Sequence, residues 1–185
     1  DSSFSPRGIK TRYLEYRTLP WIGRSFNGLL TQTVLEPAVR AWKPDLILAY
    51  WLYPTSWAAV RVGRRLRVPV VVGSRGSDLH RVPDALCRRM TSTALRDAAA
   101  VTTVTGETRE LALTLGADPA RTRVIPNGCD HETYHPLDGE LARRELGIAT
   151  SATLLLQVGH LLESKGVLDL WEAFERLAPT CPDLH

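Results

Sequence analysis

Compact apolar runs and stretches of helical spacing alternate along most of the chain. Residues 46–50 read as a strand. Pro54, Thr55 and Ser56 then open a helix to about Leu66, with Ser or Thr in the capping position. Residues 68–72 are rich in β-branched side chains and predict a second strand. The same rhythm continues with a helix over 84–97 and a strand over 101–105. A helix over 107–115 stopped by Gly116 and a short strand over 123–125 closed by Pro126 complete it. The alternation predicts an α/β fold, a doubly wound, Rossmann-like parallel sheet. The first forty residues are less regular. Leu19-Pro20-Trp21 reads as a break, and 25–42 as a helix that Pro37 should kink or divide.

Residues 127–150 interrupt the rhythm with Pro136, Asp138-Gly139 and a short helix over 140–146 stopped by Gly147. They read as a connection between two domains. The run Thr153-Leu154-Leu155-Leu156 has the look of a strand buried on both faces, extending to Val158. A helix follows over 167–177. Between them lies the loop Gly159-His160-Leu161-Leu162-Glu163-Ser164-Lys165-Gly166. Open parallel sheets bind ligands beyond the carboxyl ends of their strands, and a helix N-terminus favours an anion. With the cation of Lys165 and the titratable His160, the loop suits a phosphate or diphosphate; the alternative is a plain turn. It is neither a Walker loop nor a dinucleotide fingerprint. The resulting organisation is a partial first domain over 1–135, a connection over 136–150, and the first βα unit of a second domain over 151–185. One strand and one helix cannot cover each other as a Rossmann half does, so the second domain reads as truncated.

Composition changes this picture little. The chain has 185 residues, 44% hydrophobic and 23% charged, and a net charge of +3, too small an excess to argue for nucleic acid. No apolar run is long enough for a membrane span. Asp1-Ser2-Ser3-Phe4 is neither an initiator nor a signal peptide, which suggests a piece of a longer chain. Cys87, Cys129 and Cys181 fit no zinc spacing or disulfide framework and read as thiols in a reducing cytoplasm. Arg61, Arg64, Arg65 and Arg67 crowd one segment, and Arg88 and Arg89 another. They read either as solvated helix faces or as attraction to an anionic membrane surface or a phosphorylated acceptor.

A second motif, Val124-Ile125-Pro126-Asn127-Gly128-Cys129-Asp130 followed by Tyr134-His135-Pro136, joins the Val-Gly-x-Leu-x-x-x-Lys-Gly pattern of 158–166. Upstream stand Lys43-Pro44-Asp45, residues 68–78 ending in Arg75-Gly76-Ser77-Asp78, and residues 98–105 ending at a Thr. This ordered set resembles the family 4 retaining glycosyltransferases of the GT-B fold. The resemblance implies two Rossmann-like domains. It also implies a nucleotide-diphosphate sugar donor, a sugar, lipid-linked or small-molecule acceptor, and transfer with retention. Gly159, His160, Lys165 and Gly166 would hold the donor diphosphate, with the cation doing the work of a metal; neither a metal nor a cofactor is implied. His160 stands where the family commonly has Arg, and an imidazole makes no bidentate fork to phosphate. Arg75, Gly76 and Asp78 would lie on the acceptor side of the cleft. Arg75 stands where a His is frequent, and Asp78 could hold Arg75 in place. The alternative there is a purely structural Arg–Asp pair.

The Gly-rich loop of the first strand and the paired-glutamate motif for the donor sugar are not found between Asp1 and His185. The resemblance therefore implies a hexosyl-type transferase acting in cell-envelope or polysaccharide synthesis. It would be cytoplasmic or associated with the inner face of the membrane, and this piece alone should be inactive. Two other readings stay open: a sugar-nucleotide epimerase on the same architecture, and a degenerate, non-catalytic scaffold.

Overall fold

The computed structural model describes residues 9–18, 21–80, 82 and 84–185. The break expected at Leu19-Pro20 lies outside them. The chain divides into two compact units, Asp1–Gly128 and Cys129–His185.

The first unit is built on four parallel strands, β1 (Ile47–Tyr50), β2 (Val70–Gly73), β3 (Ala100–Thr103) and β4 (Thr122–Val124), which neighbour one another in chain order. The expected α/β parallel sheet is thus present. The helices are α1 (Asn27–Trp42), α2 (Trp57–Leu66), the short α3 (Ser77–His80), α4 (Ala85–Asp97) and α5 (Gly106–Thr114). With strands in chain order, right-handed crossovers put the connecting helices on one face of the sheet. Register agrees with this. Ala49, Val72, Val101 and Thr122 form one row across the four strands, and all are buried. The alternating positions Leu48 and Tyr50 are 53% and 51% exposed, so the opposite face is open at β1 among the described residues.

Each helix has a local cause. In α2, Ala58, Ala59, Val60 and Val62 are buried while Arg61, Arg64 and Arg65 lie on the other side. Arg61 packs over the Trp57 ring and bonds Gln32, Arg64 pairs with Asp97, and Arg65 pairs with Glu36. These arginines knit α2 to α1 and α4, and nearby acids balance two of their charges. Asp84 caps α4, accepting from the Cys87 amide at 2.7 Å. A reciprocal Thr105–Thr108 capping box opens α5. Pro37 does not divide α1, which continues from Asn27 to Trp42. The helix packs on α2, and Glu36, beside the proline, is clasped by both Arg40 and Arg65. Gly28 allows the closest approach: a Cβ there would lie 2.6 Å from the Trp57 ring and 2.8 Å from the Tyr53 ring.

The second unit holds α6 (Gly139–Glu145) and α7 (Val167–Leu177). The strand expected over 153–158 is not formed. Thr153 makes one isolated parallel bridge to Leu184, supported by bonds among Thr153, Leu155, Asp183 and His185. A continuous apolar run becomes a buried strand only where neighbours flank it. Here one short neighbour pairs with its first residues, and Leu156 and Val158 are exposed.

Two outcomes follow from this packing. Gly28→Ala should destabilise the protein by about 1–3 kcal/mol, because two aromatic rings block the new methyl. An unchanged denaturation midpoint would contradict the packing. The Glu36 carboxyl is held below its usual range, first by the Arg40 hydrogen bond and then, against desolvation, by Arg65. A depressed carboxyl stabilises the fold above its unfolded pKa, and that contribution is lost as pH falls through the folded value. Glu36→Gln should therefore show a smaller drop in Tm than wild type on acidification from about pH 7 to about pH 3.

Candidate functional site

The carboxyl edge of the sheet is organised by one side chain. Asp78, in α3, accepts from the Ser74 hydroxyl at 2.8 Å, the Gly76 amide at 3.1 Å and the Arg75 amide at 3.2 Å, all at Oδ1. Its Oδ2 accepts from the Leu52 amide at 3.2 Å. One carboxylate thus joins the loop after β2 to the loop after β1. The expected link between Asp78 and Arg75 exists, but through the Arg75 backbone. The Arg75 guanidinium reaches Asn127 Oδ1 at 3.4 Å instead. Two sequence motifs 52 residues apart therefore meet at this edge. Gly76 turns the loop with φ at 107°, in the glycine-favouring region.

Two cavities flank this loop. On the open side of the sheet, a cavity of about 410 Å³ is lined by Tyr50, Ser74, Arg75, Ile125, Pro126 and Asn127, among others. The Tyr50 ring lies against Gly73, where a Cβ would meet it at 2.4 Å. On the helix side, a cavity of about 430 Å³ has Arg24, Trp51, Tyr53, Ser77, Asp78 and Cys87 in its wall. Trp51 holds a left-handed backbone, φ 73°, and its side chain is half exposed. Burial raises the Tyr53 hydroxyl above its ordinary pKa, and that hydroxyl is tied to Ser25 O and the Gly28 amide. Burial and the Asp84 hydrogen bond likewise push up the Cys87 thiol.

The loop Gly159–Gly166 lies in the other unit. Glu163–Lys165 form a single 3-10 turn, and Gly166, at φ 73°, passes the chain into α7. His160 and Lys165 are exposed, and neither side chain has a partner among the described residues. Each unit carries its own part of the expected site. Trp51, Tyr50, Arg24 and Ser77 line these cavities and were not singled out from the sequence. The available signal was an aromatic pair at the end of a strand, facing a strand that ends in glycine. His80 is a surface residue 3.9 Å from Glu107. Among the described residues no group of three His, Cys, Asp or Glu is placed to hold a metal. No helix among them is long and apolar enough to cross a membrane.

Comparison with known proteins gives a consistent picture. A family model described as "Glycosyl transferase 4-like domain" matches residues 2–128. The chain is 42% identical over 79 residues, 43% of its length, to the D-inositol 3-phosphate glycosyltransferase of Geodermatophilus obscurus. It is 30% identical over 139 residues, 72% of its length, to the putative teichuronic acid biosynthesis glycosyltransferase TuaC of Bacillus subtilis. These matches span 18% and 35% of the relatives' own lengths. Among solved structures, Anabaena Alr3699/HepE in complex with UDP superposes with a TM-score of 0.63 at 19% identity. That match covers 78% of this chain and 40% of that one, and it shows a shared fold.

The Asp78 network makes a residue-level expectation. In Asp78→Asn, the side-chain oxygen can keep the three donors of the 74–76 loop. The amide nitrogen would then face the Leu52 N–H, donor against donor. Amide exchange should accelerate at Leu52 while Arg75 and Gly76 stay protected. Equal loss of protection at all three would refute this division of labour.

Proposed function

The chain belongs to the glycosyl transferase 4-like family, and from that premise we propose that the protein is a retaining glycosyltransferase moving a hexosyl group from a nucleotide-diphosphate sugar. The observation that carries the reading is the family match across the whole sheet-bearing unit. The UDP bound to the structural relative supports a nucleotide-diphosphate donor. The names of the sequence relatives support an acceptor hydroxyl on a sugar, a lipid-linked glycan or a small polyol.

The donor diphosphate is assigned to Gly159, His160, Lys165 and Gly166. Lys165 has no partner among the described residues, and it precedes the eleven-residue α7, whose first amides lack intrahelical acceptors. A cation beside the leaving diphosphate neutralises charge that grows in the transition state, a task that needs no metal. Gly166 and Gly159 keep that approach free of side chains. Arg75, Gly76 and Asp78 serve the acceptor side, Asp78 by fixing the loop. An epimerase would need carboxylates free for acid–base work, and both oxygens of Asp78 already accept hydrogen bonds. A cytoplasmic enzyme touching the inner membrane face fits Arg67, Arg88 and Arg89, the cluster arginines without partners among the described residues.

Steady-state kinetics with a UDP-sugar donor, measured on a protein that carries this chain at the full length of its relatives, test the assignment. Lys165→Ala should remove a charge-assisted contact of about 1.5–3 kcal/mol, a loss of about ten- to more than a hundredfold in kcat/KM. His160→Arg should remain active, since a guanidinium can take the same phosphate. Unchanged donor binding and turnover in Lys165→Ala would reduce the loop to a turn.

A further inference from the structure

A third cavity, of about 310 Å³, lies between α4 and the end of α5 and shares no lining residue with the two at the carboxyl edge. Arg88, Arg89 and Ser92 line it from α4, and Thr114 and Leu115 from α5. The two arginines stand four and three residues before Ser92, so all three share one stripe of the helix. A different stripe, with Cys87 and Thr91, meets the helix-side cavity. Neither guanidinium has an ion pair or hydrogen bond among the described residues, and the half-buried Ser92 hydroxyl has no partner there either.

The nearby structural partners are already engaged. Asp84 caps α4 and accepts from the Ser25 hydroxyl. The last carbonyls of α5, at Leu111, Ala112 and Leu113, accept from the amides of Leu115, Ala117 and Gly116. Elsewhere in the first unit Arg40, Arg64, Arg65, Arg109 and Arg121 each have an acid. Here two like charges converge on one concavity with nothing to offset them. Gly116 leaves the Ser92 hydroxyl clear: its φ of 102° suits glycine, and a Cβ there would stand 3.3 Å from Ser92 Oγ.

We infer that this cavity binds one phosphate monoester group, with Arg88 and Arg89 each offering paired N–H donors to its oxygens and Ser92 a hydroxyl. A guanidinium pairs bidentately with phosphate, and a monoester carries a charge of about −1.5 to −2 near pH 7, which two arginines offset. Both charges are screened by water and salt until the ligand displaces that water, so affinity should fall as ionic strength rises. The site is separate from both substrate positions of the proposed reaction, and the inference does not rest on the transferase reading.

The test is titration of the 185-residue chain with glycerol 3-phosphate at low salt. The Nε–H NMR signals of Arg88 and Arg89 and the amide signals of Ser92 and Gly116 report binding. They should move together and saturate, and acetate should bind several-fold more weakly. Arg88→Gln and Arg89→Gln should each weaken binding about tenfold, and Ser92→Ala about threefold. All three are surface changes whose folding an unchanged Tm verifies. Arg67→Gln removes the same charge outside the cavity and should leave affinity unchanged, as should Lys165→Ala in the other unit. No saturable movement of these signals, affinity that survives Arg88→Gln and Arg89→Gln, or an equal loss in Arg67→Gln would overturn the inference. Vesicles carrying phosphatidic acid identify the source of the phosphate. Cosedimentation that glycerol 3-phosphate displaces and the double variant loses assigns a lipid headgroup. Saturable soluble binding without such cosedimentation assigns a free phosphate ester. Cosedimentation without saturable binding of glycerol 3-phosphate is diffuse surface attraction and overturns the site.

Discussion

Four hydrogen bonds to one carboxylate hold the working edge of the first unit. Asp78 takes a donor from the loop after β1 and three from the loop after β2, so neither loop can move without breaking bonds to the same group. The bonds are mutually supporting. The Leu79 and His80 amides return to the Gly76 carbonyl, closing the α3 turn that carries Asp78. Ser56 ties Trp51 from the other side through its amide and reaches the Ala49 carbonyl with its hydroxyl. Hydrogen bonds to a charged acceptor contribute roughly 1.5–3 kcal/mol each where they are shielded from water. Several such bonds are enough to outweigh the strain of a tryptophan in left-handed backbone, about 1–3 kcal/mol.

That carboxylate stands at a divide created by the sheet. Strands in chain order keep the crossover helices on one face, and the row Ala49, Val72, Val101 and Thr122 seals that face with small and branched side chains. The other face presents Leu48, Tyr50, Val71 and Thr102 to its own cavity. The carboxyl edge therefore serves two separate spaces. One pairs Arg75 with Asn127 on the open side, and the other places Trp51 and Arg24 on the helix side. Ser74 and Asp78, bonded to one another, lie between them.

The strands and helices of the first unit were legible because burial there is complete enough for periodicity to report it. Val70 and Val72 are buried, and α2 separates its alanines and valines from its arginines. The same reasoning failed at Thr153 to Val158. An apolar run states what a segment could bury, while neighbouring strands decide what it does bury. Pro37 does not divide α1 for a related reason: a lost backbone bond is local, whereas the Glu36 clasp and the packing of α1 on α2 are tertiary. The motif that holds Arg75, Gly76 and Asp78 was legible, and so was a link between Arg75 and Asp78, but the longer-range partners were not. The bond to Asn127 and the bond to Leu52 cross 52 and 26 residues, and no periodicity encodes them.

The arginines show why pairing, more than position in the sequence, separates architecture from chemistry. Arg61, Arg64 and Arg65 form the densest basic cluster in the chain, yet they bridge helices through Gln32, Asp97 and Glu36. Arg121 likewise pairs with Asp118 and bonds the Ala98 carbonyl. Arg88 and Arg89 are unpartnered among the described residues but stand on an exposed stretch of α4, where water and salt screen them. Arg24, exposed on the wall of the helix-side cavity, likewise pairs with no acid among the described residues, and a charge that open to water stays screened until a ligand displaces the water.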